Sequence, residues 1–226
     1  MSAAKSIPGT KKRGFVITVD GPSAAGKGTL ARRLASHFGF DFLDTGSLYR
    51  GVGLAVLHQG LDPADEKAAT AAAKALKPDL LSDPAIRSES TSTAASKVAA
   101  IPSVRAAILN WQRDFARKAA RDSGGAVLDG RDIGTVVCPD ADAKLFITAS
   151  VQARADRRVK ELQGRGETAI YARVLQDMQE RDARDQGRSI SPTKPATDAL
   201  IIDTSDLTAD QVFERALAFI ASKMKA

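Results

Sequence analysis

Disulfides, metal clusters and membrane spans all lack raw material in this sequence. Its 226 residues include one cysteine, Cys138, so no intramolecular disulfide can form, and with two histidines no Cys/His metal-ligand spacing exists. No apolar run approaches the roughly 18 residues that a membrane helix needs. Aromatic residues make up only 5% of the chain and are not interleaved with basic ones. No surface for stacking bases is therefore predicted, and no nucleic-acid partner is expected. The first fourteen residues carry Lys5, Lys11, Lys12 and Arg13 but no apolar segment. Residues 1–14 thus read as a flexible basic tail and not as a signal peptide. These absences lead us to expect a cytoplasmic protein that uses no membrane; separately, we expect a monomer.

What is present is ordinary in bulk. Hydrophobic content of 43% and charged content of 27% suit a soluble α/β domain long enough to bury a sizeable core. The net charge of +6 favours anionic ligands, and phosphates account for it as well as nucleic acid would.

The chain is organised around FVITVDGPSAAGKGT, residues 15–29. An apolar, β-branched strand ends at Asp20, and a glycine-framed loop follows: Gly21, Pro22, Ser23, Ala24, Ala25, Gly26, Lys27. The loop runs into the helically spaced LARRLA. Strand, GxxxxGK loop and helix in this order form a P-loop. In it, backbone N–H groups and the helix N-terminus converge on phosphate oxygens, and Lys27 reaches the outer phosphates as a compact charge. Nucleoside triphosphate binding is predicted. The Ser or Thr usual after the lysine is Gly28 here, with Thr29 next, which makes Thr29 the candidate hydroxyl near phosphates and Mg²⁺. GKGT resembles the loop of nucleoside monophosphate kinases more than that of GTPases or motor ATPases.

Four more short strands are predicted, at Phe40–Asp44, Ala126–Asp129, Ala143–Thr148 and Leu200–Asp203. Helices are predicted from Thr45 to about Gln59, over Ala64–Leu76, Thr91–Ala100 and Pro102–Asp122, and from Val151 and Glu167 onward. Thr208 and Gln211 have capping-box spacing for a closing helix. The result is a P-loop NTPase-type parallel five-stranded sheet with helices on both faces. We expect a core of 15–59 and 123–226, a small acceptor-binding insertion at about 60–122, and a basic lid at about 154–167. Ligands of such sheets lie beyond the carboxyl ends of the strands, where Asp20, Asp44 and Asp129 fall.

Phosphoryl transfer needs alignment and charge neutralisation more than covalent help. Asp129 ends its strand as an Mg²⁺-directed carboxylate would, and Arg131 and Asp132 follow in a glycine-framed loop. Arg154, Arg157 and Arg158, followed by Gly164-Arg165-Gly166, read as a mobile basic lid. Arg181, Arg184, Asp185 and Arg188 share one side if the helix persists that far, and a stripe of arginines calls for an anion. Asp182 and Glu180 fall elsewhere and read as plain surface.

Assembled, the blocks GPSAAGKGT, LDTGSLYR, AASKVAAIPSVR, LDGRDIGT, RRVKEL, ERDARD and SPTKPATDALIIDTS resemble, in order, those of the bacterial cytidylate kinase family. The resemblance implies transfer of the γ-phosphoryl group of ATP to CMP or dCMP with Mg²⁺. It also implies that Thr45, Asp132, Arg181 and Asp185 lie near the acceptor ribose. Ser96, Arg105 and Arg188 would be at the cytosine, Arg50 and Arg131 on the acceptor phosphate, and Arg154, Arg157 and Arg158 over ATP. Lys27, Asp129, Arg131 and Arg181 would then carry catalysis. Two departures from the family stand out: Thr45 where serine is common, and a stretch from Lys77 to Ser90 shorter than the sheet-bearing insertion of many members. The alternatives are another small-molecule P-loop kinase, acting on another nucleoside monophosphate, shikimate or dephospho-coenzyme A, or a P-loop switch or nucleic-acid-stimulated ATPase. No guanine-reading N-K-x-D motif is present to favour a GTPase-type switch.

Overall fold

The sheet forms from the five predicted strands, and its order explains why three aspartates meet at one edge. In the computed structural model, which describes residues 14–188 and 190–225, the strands are β1 Phe15–Asp20, β2 Asp41–Asp44, β3 Gly125–Gly130, β4 Ala143–Thr148 and β5 Leu200–Asp203. They lie in the order β2-β3-β1-β4-β5, all parallel. The register sets Asp44 beside Asp129 and Asp20 beside Gly130, so both strand-end pairs share one edge. Residues 1–13, most of the expected basic tail, lie outside the described residues.

Alternation along the strands divides the core. Ile17, Val19, Val127, Leu145, Ile147 and Ile202 face α1 (Lys27–Phe38) and α8 (Ala209–Met224). Ala126, Leu128 and Leu43 face the opposite way, against Ala116 and Ala119 of α5 (Pro102–Asp122). A parallel sheet covered on both faces is what such short apolar strands require. The capping box at Thr208–Gln211 forms as the spacing implies.

A second apolar cluster lies outside the sheet. Leu48, Val52 and Val56 of α2 (Thr45–His58) pack against alanines of α3 (Glu66–Lys74) and α4 (Glu89–Val98), and against Val104 and Ile108 of α5. Gly53 of α2 permits the close approach of α4: a Cβ there would lie 2.9 Å from the Ala95 nitrogen. The first half of α5 therefore serves this cluster and the second half serves the sheet, so the helix belongs to both units. Residues 77–90 contain two 3₁₀ turns, Pro78–Ser82 and Pro84–Arg87, and no strand.

Two more helices, α6 (Val151–Gly164) and α7 (Tyr171–Gln186), form a hairpin around Ala155, Leu162, Val174 and Met178. Ala24 of the P-loop packs against this small core. Helix α7 begins four residues later than the Glu167 expected for it. A single π-type turn at Ile133–Val137 was not foreseen.

Candidate active site

The P-loop takes its shape from backbone angles that few residues adopt. Gly21 has φ 140°, and a Cβ there would lie 1.9 Å from the Ile147 carbonyl oxygen, so the loop can leave β1 beside β4 only at a glycine. Ala24 and Gly26 also have positive φ. Lys27 opens α1 and is buried, donating from Nζ to the Pro22 carbonyl at 2.7 Å. Burial and the nearby Arg131 push its pKa down to about 7, against the pull of Asp129. Burial in turn pushes the Asp129 carboxyl up, opposed by Lys27. A Cβ on Gly28 would lie 3.2 Å from Asp129 Oδ2. Position 28 therefore faces Asp129, while Thr29, roughly 100° further round α1, is exposed.

Beside the P-loop, a cavity of about 70 Å³ gathers the acceptor-side candidates: Thr45, Arg50, Ser96, Arg105, Arg131, Asp132, Arg181, Asp185 and Arg188 all line it. They come from α2, α4, α5, the loop after β3, α7 and the segment beyond α7. Arg50 donates to the Asp44 carboxylate at 2.6 Å. Thr45 donates from Oγ1 to the Asp129 carbonyl at 2.7 Å. Arg105 donates to the Asp132 carboxylate and, at 3.2 Å, to the Ala99 carbonyl. Arg131 donates from Nε to Asp185 at 3.1 Å, and Arg188 donates to the other oxygen of the same carboxylate. Arg181 donates to Ser92 Oγ at 3.1 Å.

Cations outnumber anions here, and the excess shows in the guanidinium groups. Burial and the charges of Arg131, Arg50 and Arg158 push the Arg181 pKa down to about 10, with Asp185 opposing. The Nε atoms of Arg50, Arg181 and Arg188 are buried without a hydrogen-bond partner. Each such donor costs free energy until an acceptor arrives. The site is built to receive an anion.

Sequence reasoning missed several members of the site. Tyr49 lines the cavity with its ring 5.4 Å from the Arg105 guanidinium, and Gly130 leaves room that a Cβ would take from Thr45 Oγ1 at 2.7 Å. The i+4 spacing of Tyr49 from Thr45 on one helix was the available signal.

Two expectations are corrected. The arginine stripe does not run on as one helical face, because α7 ends at Gln186. Arg188 returns to Asp185 from the following segment, and Arg184, not itself in the cavity lining, donates from Nε to Ser96 Oγ at 3.5 Å and lies 3.9 Å from Glu180. Asp182 is not plain surface: its side chain is 16% exposed and accepts two bonds from Arg154, at 3.1 and 2.5 Å.

The three basic residues expected over the nucleotide have distinct positions. Arg154 is buried and also donates to the carbonyls of Ala149, at 3.0 Å, and Ser23, at 3.4 Å. Arg157 donates to Thr204 Oγ1 at 2.9 Å, and that oxygen lies 3.0 Å from the Ala25 carbonyl. Arg158 pairs with Glu89 of α4 and Glu161 of α6. A larger cavity of about 650 Å³ opens at the amino edge of the sheet, lined by Gly14, Val16 and Cys138 among others, and contains none of the candidate residues. Burial pushes the Cys138 thiol up to about 11.

A five-stranded parallel sheet with a P-loop, a strand-end carboxylate beside it and an arginine-rich anion cavity next door define a P-loop kinase. Residues 17–222 match the family described as Cytidylate kinase. The chain is 59% identical over 209 residues to the cytidylate kinase of Paramagnetospirillum magneticum, covering 92% of this chain and 98% of that one. It is 55% identical over 209 residues to the cytidylate kinase of Rhodospirillum rubrum, with the same coverage. Among solved structures, an uncharacterized protein from Eubacterium ventriosum superposes with a TM-score of 0.53 at 14% identity, covering 92% of this chain and 98% of that one, a likeness of fold alone. The chain belongs to the cytidylate kinase family.

Proposed function

We propose that the protein transfers the γ-phosphoryl group of ATP to CMP or dCMP, giving ADP and the cytidine diphosphate. The observation that carries this reading is the convergence on one cavity of nine side chains from four helices, the loop after β3 and the segment beyond α7, three of them with unpartnered buried Nε donors. Family membership supplies the nucleotide pair.

In this reading the P-loop, residues 21–29, cradles the ATP phosphates, and Lys27 exchanges the Pro22 carbonyl for phosphate oxygens. The acceptor phosphate takes up the spare donors of Arg50 and Arg131, whose planar forks suit phosphate bidentately. Arg181, which lines the cavity with an unpartnered Nε, would stabilise charge that builds on the group in flight. Thr45, Asp132 and Asp185 address the ribose, and Ser96, Arg105 and Arg188 the cytosine. Arg154 and Arg157 act on the donor side by bracing the Ser23 and Ala25 carbonyls, and Arg158 closes α6 toward α4.

Mg²⁺ fits the donor set. Among the described residues no three His, Cys, Asp or Glu side chains cluster to hold a metal. A hard cation that keeps its waters and binds phosphates needs only one or two carboxylates, and Asp129 beside Gly28 offers one. Bound there, Mg²⁺ would neutralise phosphate charge. Asp129 is the residue to hold it, and Thr29 is exposed on the first turn of α1.

Among the described residues no helix is long and apolar enough to span a membrane. The test is an acceptor panel with ATP and Mg²⁺, reading ADP release with CMP, dCMP, UMP, AMP, shikimate and dephospho-coenzyme A. CMP and dCMP should lead by at least about tenfold in kcat/KM. Preference for a non-nucleotide acceptor would overturn the reading, as would ADP release that depends on added RNA or DNA.

A further inference from the structure

Asp20 closes β1 immediately before the P-loop, which suggests a role on the ATP side. Its carboxylate faces the other way. Oδ1 accepts the Ile133 backbone N–H at 2.8 Å and Oδ2 accepts that of Gly134 at 2.7 Å. These residues open the π-type turn Ile133–Val137.

The residue at the cap position of that turn is Asp132. An aspartate there ordinarily accepts from backbone N–H groups two or three residues on. Asp132 makes no such bond; its carboxylate accepts from Arg105 instead. The first N–H groups of a turn are orphan donors that need an acceptor, and Asp20 provides it from 113 residues away in the sequence. The fit is close, since a Cβ on Gly134 would lie 2.8 Å from Thr18 Oγ1 and 3.3 Å from Asp20 Oδ2.

We propose that Asp20 is a positioning residue for the acceptor: by capping the Ile133–Val137 turn in place of Asp132, it leaves the Asp132 carboxylate to hold Arg105 in the cavity. Without that cap, Asp132 is the side chain that the turn's own cap position offers to its first donors. Were it to do so, Arg105 would lose its partner and its aim. The inference rests on the acceptor-cavity reading above.

The test is steady-state kinetics of Asp20→Asn at pH 8, where the Asp20 carboxyl is ionised, each substrate varied at saturation of the other. Asparagine keeps the size but turns an NH₂ toward one of the two N–H donors. The acceptor is whichever compound the wild type prefers in the panel, so failure of the cytidine reading leaves this comparison intact. Acceptor KM should rise about tenfold or more while ATP KM stays within about twofold. In an Asp132→Asn background the same change should cost severalfold less, because the two residues act as one unit. Additive effects in the double variant would overturn the proposal. So would a folded Asp20→Asn enzyme with unchanged acceptor KM, or an ATP KM that rises equally. Should Asp20→Asn fail to fold, Gly134→Ala displaces the turn from β1 with Asp20 intact. It should give the same acceptor-side split, and an ATP-side defect would again overturn the idea.

Discussion

Arg131 and Asp185 meet at 3.1 Å, joining the loop after β3 to α7 across the acceptor cavity. Burial alone would raise the Asp185 carboxyl, but Arg131, Arg188 and Arg181 outweigh it and hold the pKa below the usual carboxylate range. The carboxylate thus stays charged, separates two guanidiniums and can accept from a sugar hydroxyl. Asp185→Ala should raise KM for CMP and dCMP by about tenfold or more, with a smaller fall in kcat, the pattern of lost uniform binding. Initial-rate measurements at saturating ATP check this.

Lys27 has a different signature. Burial and the neighbouring Arg131 lower its pKa to about 7 while Nζ donates to the Pro22 carbonyl, which phosphate oxygens would replace in the proposed reading. Lys27→Met should lower kcat by about 10²-fold or more while circular dichroism shows an unchanged fold.

The buried pair of Arg154 and Asp182 ties α6 to α7 and, through Ser23, to the P-loop. Arg154→Met strands a largely buried carboxylate and should cost about 3 kcal/mol of unfolding free energy. Adding Asp182→Leu removes the stranded charge and should recover part of the loss. Chemical denaturation of the single and double variants measures both.

Burial, with Asp132 and Asp129 nearby, raises the Asp20 pKa from 3.8 to about 7, although two backbone N–H groups pull it down. Lys27 and Cys138 are the other titrating groups that share its field. Between those values the folded chain keeps the proton that the unfolded chain releases. The contribution of Asp20 to stability is therefore full below 3.8, falls as pH rises, and is gone above about 7. Asp20→Asn removes that dependence. The stability advantage of wild type over Asp20→Asn should shrink by on the order of 2 kcal/mol between pH 5 and pH 8. Denaturant midpoints at the two pH values read this difference, and a constant gap would contradict it.

Much of this was legible in the sequence because the fold announces itself locally. Strands β4 and β5 begin and end where their apolar runs do, and the P-loop motif carries its own context. Arg131, Asp132, Arg181, Asp185 and Arg188 of the cavity lining were legible from strand-end position and helical spacing, whereas Thr45, Ser96 and Arg105 were legible only through the resemblance. What stayed hidden depends on contacts between distant residues. Asp182 reads as surface until Arg154 is brought to it from 28 residues away. The end of α7 at Gln186 depends on where Arg188 and Thr193 must return, the latter donating its N–H to the Asp185 carbonyl. The π-type turn after β3 has no signature in Ile133–Val137 because its cap lies on β1.

The strand order also bears on self-association. The two outer strands, β2 and β5, have four residues each, against six in each of the three inner strands. Carboxylates stand at both ends of β2, Asp41 and Asp44, and at the end of β5, Asp203. An incoming strand would find few free backbone groups along either margin, and negative charge where it tried to extend. Residues 77–90 add no further margin, because they contain two 3₁₀ turns, Pro78–Ser82 and Pro84–Arg87, and no strand. The sheet is closed to growth by the brevity of its own borders.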